Sequence, residues 1–213
     1  MVCGMISHKY RWIFIHIPRT GGTSVEVALQ GKDQWLVDPL SKHLTASQAK
    51  EKYAEYWDDY YKFTFVRNPW DRMISLFHMD FFNGGEFDGA YRRLSPLTHG
   101  PSIGFFCGKT LKFFLENYKH APWEQSDSRS SEILNEPLDF IGRFENLEED
   151  FKKLCEHIGV DLDLPHKGST KRKAYAGYYD DETRQMVADM FSEDISQFEY
   201  TFEEWLITSL THF

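Results

Sequence analysis

Two short segments of this sequence bring together the residue types that bind anions. The first is PRTGGTS, Pro18 to Ser24, in which Arg19 precedes a Gly-Gly pair and hydroxyls stand at Thr20, Thr23 and Ser24. A Gly-Gly turn entering a helix presents unpaired backbone N–H groups and the positive end of a helix dipole to an anion. The three hydroxyls add donors, and the Arg19 fork can grip an anion with two parallel N–H groups. Taken alone, the segment also reads as a tight strand-to-helix turn with a solvated Arg. The second segment is RNPWDRMIS, Arg67 to Ser75, with a cation at its start and Ser75 two helical turns along. Two such cation-plus-hydroxyl sets suit a ligand with two separate anionic groups. A basic stretch, KGSTKRK (Lys167 to Lys173), is a candidate third set, or a solvated charge run. The pattern G-x-x-x-x-G-K-[ST] is absent, the cation precedes the glycines, and no acidic pair is marked out as a Mg²⁺ site.

The elements that must position these residues are legible in outline. RWIFIHI, Arg11 to Ile17, is rich in β-branched and aromatic side chains and predicts a short buried strand. TSVEVALQ then predicts a helix. A second helix is expected from about Ala46 to Trp57, with Thr45 as N-cap and Gln48 completing a capping box. KFTFV, Lys62 to Val66, predicts a second strand. The helix after it starts with Asn68 as N-cap, Pro69 at the first position and Asp71 in the first turn. Trp70, Met73, Ile74, Phe77 and Phe81 form its apolar stripe, and Ser75 falls off that stripe, free to face a ligand. LDFIGRF, Leu138 to Phe144, predicts another strand. The helix following it is expected to be capped by Asn146 and stopped by Gly159. A last helix begins near Asp180. Strands alternating with helices predict an α/β fold with a largely parallel central sheet. In such a sheet both anion-binding segments lie at the carboxyl edge, where α/β proteins bind ligands.

Bulk composition narrows the classes. The 213 residues suffice for one core and are short for two, so a single domain over 1–213 is expected. Aromatics at 16% supply that core. The formal net charge of -9 argues against general binding to nucleic acid or anionic membranes, so cations for a polyanionic ligand must be concentrated locally. Cys3, Cys107 and Cys155 are odd in number and widely spaced, which fits neither a disulfide framework nor a zinc site and suggests a reducing, cytoplasmic setting. The sequence has no run of transmembrane length, no apolar signal region at its start, and Val2 where myristoylation needs Gly.

The anion-binding segments also carry a family resemblance. HIPRTGGTS closely resembles the 5′-phosphosulfate loop of sulfotransferases that use 3′-phosphoadenosine 5′-phosphosulfate (PAPS), especially the carbohydrate-sulfating branch, which reads HIPKTGGTS. FVRNPWDRMIS resembles the 3′-phosphate motif of that family, with its Arg and Ser eight residues apart. IGRFENL and the SxKRxxYxxYY pattern of Ser169 to Tyr179 look like the same branch. The resemblance spans roughly Ile13 to Phe202 and implies a P-loop-type, three-layer α/β domain. It implies PAPS as cofactor, PAP as product, no metal, and in-line transfer of a sulfuryl group to an acceptor hydroxyl, on a carbohydrate in this branch. By it, Arg19 and the backbone of Thr20, Gly21, Gly22, Thr23 and Ser24 would hold the 5′-phosphosulfate. Arg67 and Ser75 would hold the 3′-phosphate, and Lys171 or Arg172 would close over the cofactor. Arg19 stands where the family has Lys; its guanidinium is bulkier and forks differently, which bears on its part at the leaving group.

Such a transfer needs a base for the acceptor proton, and His43 is the expected one. It follows the loop by about twenty residues inside the first crossover, in a KHLT segment similar to one in related carbohydrate sulfotransferases. It also stands just before Thr45, where a helix start would disfavour imidazolium. Glu26, His16 and His78 are the alternatives, with His16 read as structural in its strand. Tyr91, Phe105, Phe106 and Trp123 are candidates for stacking on sugar rings, or for core packing. The rival functions are a P-loop nucleotide kinase and a non-catalytic module binding PAP or an anionic glycan.

Overall fold

The computed structural model describes residues 5–81, 110–118, 129–165 and 174–202. Contacts divide the chain into two compact units, one of Met1–Arg67 with Arg129–Lys171, the other of Asn68–Ser128 with Arg172–Phe213.

The first unit is built on a four-stranded sheet in the order β1-β2-β3-β4, with β1 Ile6–Ser7, β2 Trp12–Ile15, β3 Tyr61–Val66 and β4 Phe140–Arg143. β2, β3 and β4 run parallel in the registers Phe14↔Phe63 and Thr64↔Ile141. The sheet is therefore central and mostly parallel, as the alternating pattern predicts. β1 is an unpredicted addition: it pairs antiparallel to β2 (Ile6↔Ile13), and Arg11 makes the turn with a left-handed φ of 54°. Two residues of strand leave too short an alternation to detect.

Helices α1, Gly22–Gln30, and α7, Leu147–Ile158, supply Val25, Phe151, Leu154 and Ile158 to a core shared with Trp12, Phe14, Phe63 and Phe65. Phe14 and Phe63 stack across the parallel pair at 4.8 Å, an offset arrangement contributing about 1 kcal/mol beyond the area it buries. Cys155 lies in this core as a buried free thiol, and burial pushes its pKa up.

The first crossover differs from expectation. Thr45 caps as predicted, its hydroxyl accepting from the Gln48 amide while the Gln48 side chain accepts from the Thr45 amide. The helix it starts, α2 Ala46–Lys52, stops at Tyr53 instead of running to Trp57, and α3 Ala54–Trp57 follows as a separate turn. Tyr53 leaves helical geometry at ψ 30° and is buried, its hydroxyl accepting from the Met5 amide, so a tertiary contact overrides the helical periodicity. At the other end of the unit, Gly159 ends α7 in the left-handed conformation (φ 71°) as predicted, whereas Asn146 makes no side-chain cap. Asn146 closes a 3₁₀ turn, Phe144–Asn146, and the buried Asp150 instead turns back to accept from the Arg143 amide at 2.8 Å.

In the second unit, α4 Pro69–Phe81 begins as predicted, with Asn68 Oδ1 accepting from the Trp70 amide at 3.1 Å. Trp70, Met73, Ile74 and Phe77 are buried, but so are Asp71, Arg72 and Ser75, so residues 69–77 are enclosed on all sides instead of along one stripe. The Trp70 indole donates to the Arg184 carbonyl at 3.0 Å, and Tyr179 Oη donates to the Trp70 carbonyl at 2.8 Å. Helix α5 Leu111–Asn117 and, in the first unit, α6 Ser130–Ile133 were not anticipated; α8 Asp181–Met190 starts at Asp180, which caps through Thr183, and α9 Ser192–Gln197 follows. Among the described residues, no helix is long and apolar enough to cross a membrane.

Candidate active site

The loop from β2 to α1 is shaped by two glycines with different tasks. Gly21 has φ 82°, a left-handed conformation that penalises side chains, and a Cβ there would meet Leu147 Cδ2 at 2.6 Å. Gly22 opens α1, and a Cβ there would lie 2.1 Å from the His16 ring. The chain can enter the helix at this place only with neither side chain present. Arg19 is also left-handed at φ 68°. Its strained backbone is held by Arg67, whose Nη1 donates to the Arg19 carbonyl at 2.7 Å. The Arg67 guanidinium sits 3.8 Å above the Phe144 ring, and the residue is only 6% exposed.

The result is an amide-lined turn. The backbone N–H groups of Gly21, Gly22 and Thr23 make no hydrogen bond among the described residues. They lead into the amino end of a nine-residue helix with no side-chain cap, which leaves donors and a positive dipole for an anion. Arg19 and Thr23 are half-buried beside them, and Ser24 is buried. The Thr20 hydroxyl, expected to face a ligand as a donor, instead donates to the Ile17 carbonyl at 2.8 Å and is fully buried. Inward, it stiffens the turn.

Below the turn lies a buried polar cluster. His16 Nδ1 donates to Glu26 Oε1 at 2.5 Å. Glu26 Oε2 accepts from Lys42 Nζ at 2.9 Å and from the Gln34 amide at 3.0 Å. Lys42 also pairs with Asp33 at 2.5 Å, and the same Asp33 oxygen accepts from the Trp35 amide at 2.9 Å. Burial alone would raise the Glu26 pKa, but His16, Lys42 and the Gln34 amide together hold it down to about 2. Burial lowers the His16 pKa, outweighing the pull of Glu26. The cluster thus sets an ionised Glu26 between Lys42 and a neutral His16. His16 and Glu26 are both buried, and both oxygens of Glu26 are engaged.

His43 stands against this cluster. Its Nδ1 donates to the His16 carbonyl at 3.0 Å, and its ring lies 4.6 Å from the His16 ring and 5.5 Å from that of Trp35. Nε2 makes no hydrogen bond among the described residues. The donated Nδ1 proton therefore leaves the lone pair on Nε2. The His43 pKa is pushed well below 6.5, first by burial and then by His16. Burial therefore favours the neutral imidazole.

Arg19, Gly21, Gly22, Thr23, Ser24, Arg67 and His43 thus all belong to the first unit. Ser75 belongs to the second, buried at 3% exposure on α4. Lys171 and Arg172 lie outside the described residues, as do Tyr91, Phe105, Phe106 and Trp123.

Residues 4–94 match the model of the sulfotransferase family. The matched stretch takes in the Gly-Gly turn, His43 and α4. Among solved structures, the chain is similar to mouse sulfotransferase SULT7A1 complexed with PAP, at 12% identity over 90% of this chain and 86% of that one, with a TM-score of 0.48. No curated protein matches the chain.

Sequence reasoning missed Lys42, Asp33 and Phe144 as parts of this site. Lys42 had a signal, since a cation adjoining a candidate base in an acidic chain needs a partner. Phe144 lay inside IGRFENL, noted only as a resemblance.

Proposed function

We propose that this protein is a sulfotransferase that transfers the sulfuryl group of PAPS to an acceptor hydroxyl on a carbohydrate. The observation that carries this reading is the bond from Arg67 Nη1 to the Arg19 carbonyl, which joins both anion-binding segments beside the unpartnered amides of Gly21, Gly22 and Thr23. Those amides fit the phosphosulfate end of PAPS, and buried Arg67 supplies a cation within reach of the same turn. When bound, PAPS supplies an activated sulfuryl group with a phosphate as its leaving partner.

In this reading, Arg19 and the Gly21 to Thr23 amides hold the phosphosulfate charge, and Arg67 with Ser75 takes the 3′-phosphate. By the family resemblance, Lys171 or Arg172 would close over the nucleotide. His43 Nε2 accepts the acceptor proton, its Nδ1–H remaining on the His16 carbonyl throughout. Preset donors of this kind stabilise developing charge without reorganising during reaction. The sugar assignment is supported by the resemblance of HIPRTGGTS to the loop of the carbohydrate-sulfating branch.

The test is a screen with radiolabelled PAPS across glycans, lipids and small alcohols, run with a chelator present. Transfer of label to a glycan is the expected result. Transfer only to lipids or small alcohols corrects the acceptor, PAP binding without any transfer favours a binding module, and a requirement for Mg²⁺ overturns the reading.

A further inference from the structure

The His43 hydrogen bond has two ends, and one carboxylate holds both. At the accepting end, the His16 carbonyl is fixed because the His16 ring is pinned between the Gly22 backbone and Glu26 Oε1. At the donating end, His43 follows directly after Lys42, whose Nζ is bound by Glu26 Oε2 and by Asp33. Glu26, Lys42 and His16 are all nearly sealed from solvent. We propose that Glu26 is a positioning residue: by holding His16 with one oxygen and Lys42 with the other, it fixes the Nδ1–H tautomer of His43 and keeps Nε2 as the atom that takes the acceptor proton.

The inference rests on the reading of His43 as the base. A neutral imidazole can carry its proton on either nitrogen, and the partner of one nitrogen decides the chemistry of the other. Without the carboxylate charge, Lys42 keeps Asp33 alone and the His16 ring loses its acceptor. The segment carrying His43 and the carbonyl it binds are then no longer tied to one point.

The experiment is nitrogen NMR of the histidine rings in the wild type and in Glu26→Gln, with steady-state kinetics alongside. In the wild type, His43 is expected in the Nδ1–H form. In Glu26→Gln, that signal is expected to move toward the Nε2–H form or a mixture. With a competent acceptor, kcat falls about 10- to 100-fold, the range for loss of a group that orients another, while the KM for PAPS stays within a few-fold. If Glu26→Gln does not fold, Lys42→Gln severs the other arm and is read in the same way. A wild-type His43 in the Nε2–H form overturns the proposal, as does a folded variant whose His43 tautomer is unchanged. The tautomer measurement needs no acceptor or turnover, so its outcome is separate from success or failure of the sulfotransferase reading.

Discussion

Arg67 and Arg19, two cations from different segments of the chain, are joined by a 2.7 Å hydrogen bond from the Arg67 guanidinium to the Arg19 carbonyl. The carbonyl accepts one of the five N–H donors of Arg67, and Phe144 supports the plane of the guanidinium. Arg67 thus shapes the turn that would meet the 5′ end of PAPS, in addition to any contact of its own with the nucleotide.

Substitution of Arg67 by Ala should therefore weaken adenosine 5′-phosphosulfate through the loosened turn, and PAP by more, since PAP also loses a charged hydrogen bond to its 3′-phosphate that contributes about 1.5–3 kcal/mol. Ser75→Ala should weaken PAP alone, because adenosine 5′-phosphosulfate lacks the 3′-phosphate. Calorimetry on the four combinations checks both. Equal loss of the two nucleotides in Ser75→Ala would remove Ser75 from the 3′-phosphate.

PAP should bind with micromolar or tighter affinity in the presence of a chelator, since the proposed pockets rely on Arg side chains and backbone amides. Isothermal titration with and without Mg²⁺ measures this directly, and an absolute need for the metal would contradict it.

His43→Ala should lower kcat by 100-fold or more, as expected for loss of a general base, and leave PAP affinity within a few-fold. Near-normal turnover in this variant would dismiss His43.

Gly21→Ala and Gly22→Ala should each cost about 1–3 kcal/mol of stability, through backbone strain at φ 82° in the first and collision with the His16 ring in the second. Urea unfolding monitored by tryptophan fluorescence gives the values. An unchanged midpoint in either variant would mean the turn relaxes in a way its packing does not suggest.

Stability should fall as pH is lowered through 6.5. Unfolded histidines take up protons near that pH, whereas His16 and His43, with lowered values in the folded chain, do not. The unfolded state then binds more protons, and acid favours it by up to about 3 kcal/mol per pH unit for two groups. Glu26, at about 2 when folded against an ordinary 4.5, extends the loss below pH 4.5. Urea midpoints at pH 8, 6.5 and 5.5 test the histidine window, and a flat profile would contradict the neutral burial of the pair.

The parts of the fold legible in the sequence were those set by local chemistry: the β-branched strand before the Gly-Gly turn, the Thr45 capping box, the Asn68-Pro69 helix start and the Gly159 stop. What escaped depends on contacts between distant residues. Tyr53 breaks a helix because its side chain packs near Met5, and Asn146 loses its capping role to a 3₁₀ turn. Within the candidate site, the Gly-Gly turn between β2 and α1 was readable from motif and spacing. The Glu26 to Lys42 pair was not, because residues 16 apart carry no periodic signal of their meeting. Burial of Asp71, Arg72 and Ser75 on α4 also hides from sequence, since polar side chains off the apolar stripe carry no signal of being enclosed.

The His16 ring fills the space that a Cβ on Gly22 would need, so the two positions form a single mechanical unit, like a key and its ward. Anyone grafting this turn onto another parallel sheet would have to carry the strand histidine along with the glycines. A smaller residue at 16 would leave a void under the helix start, and a larger one at 22 would drive the histidine off Glu26.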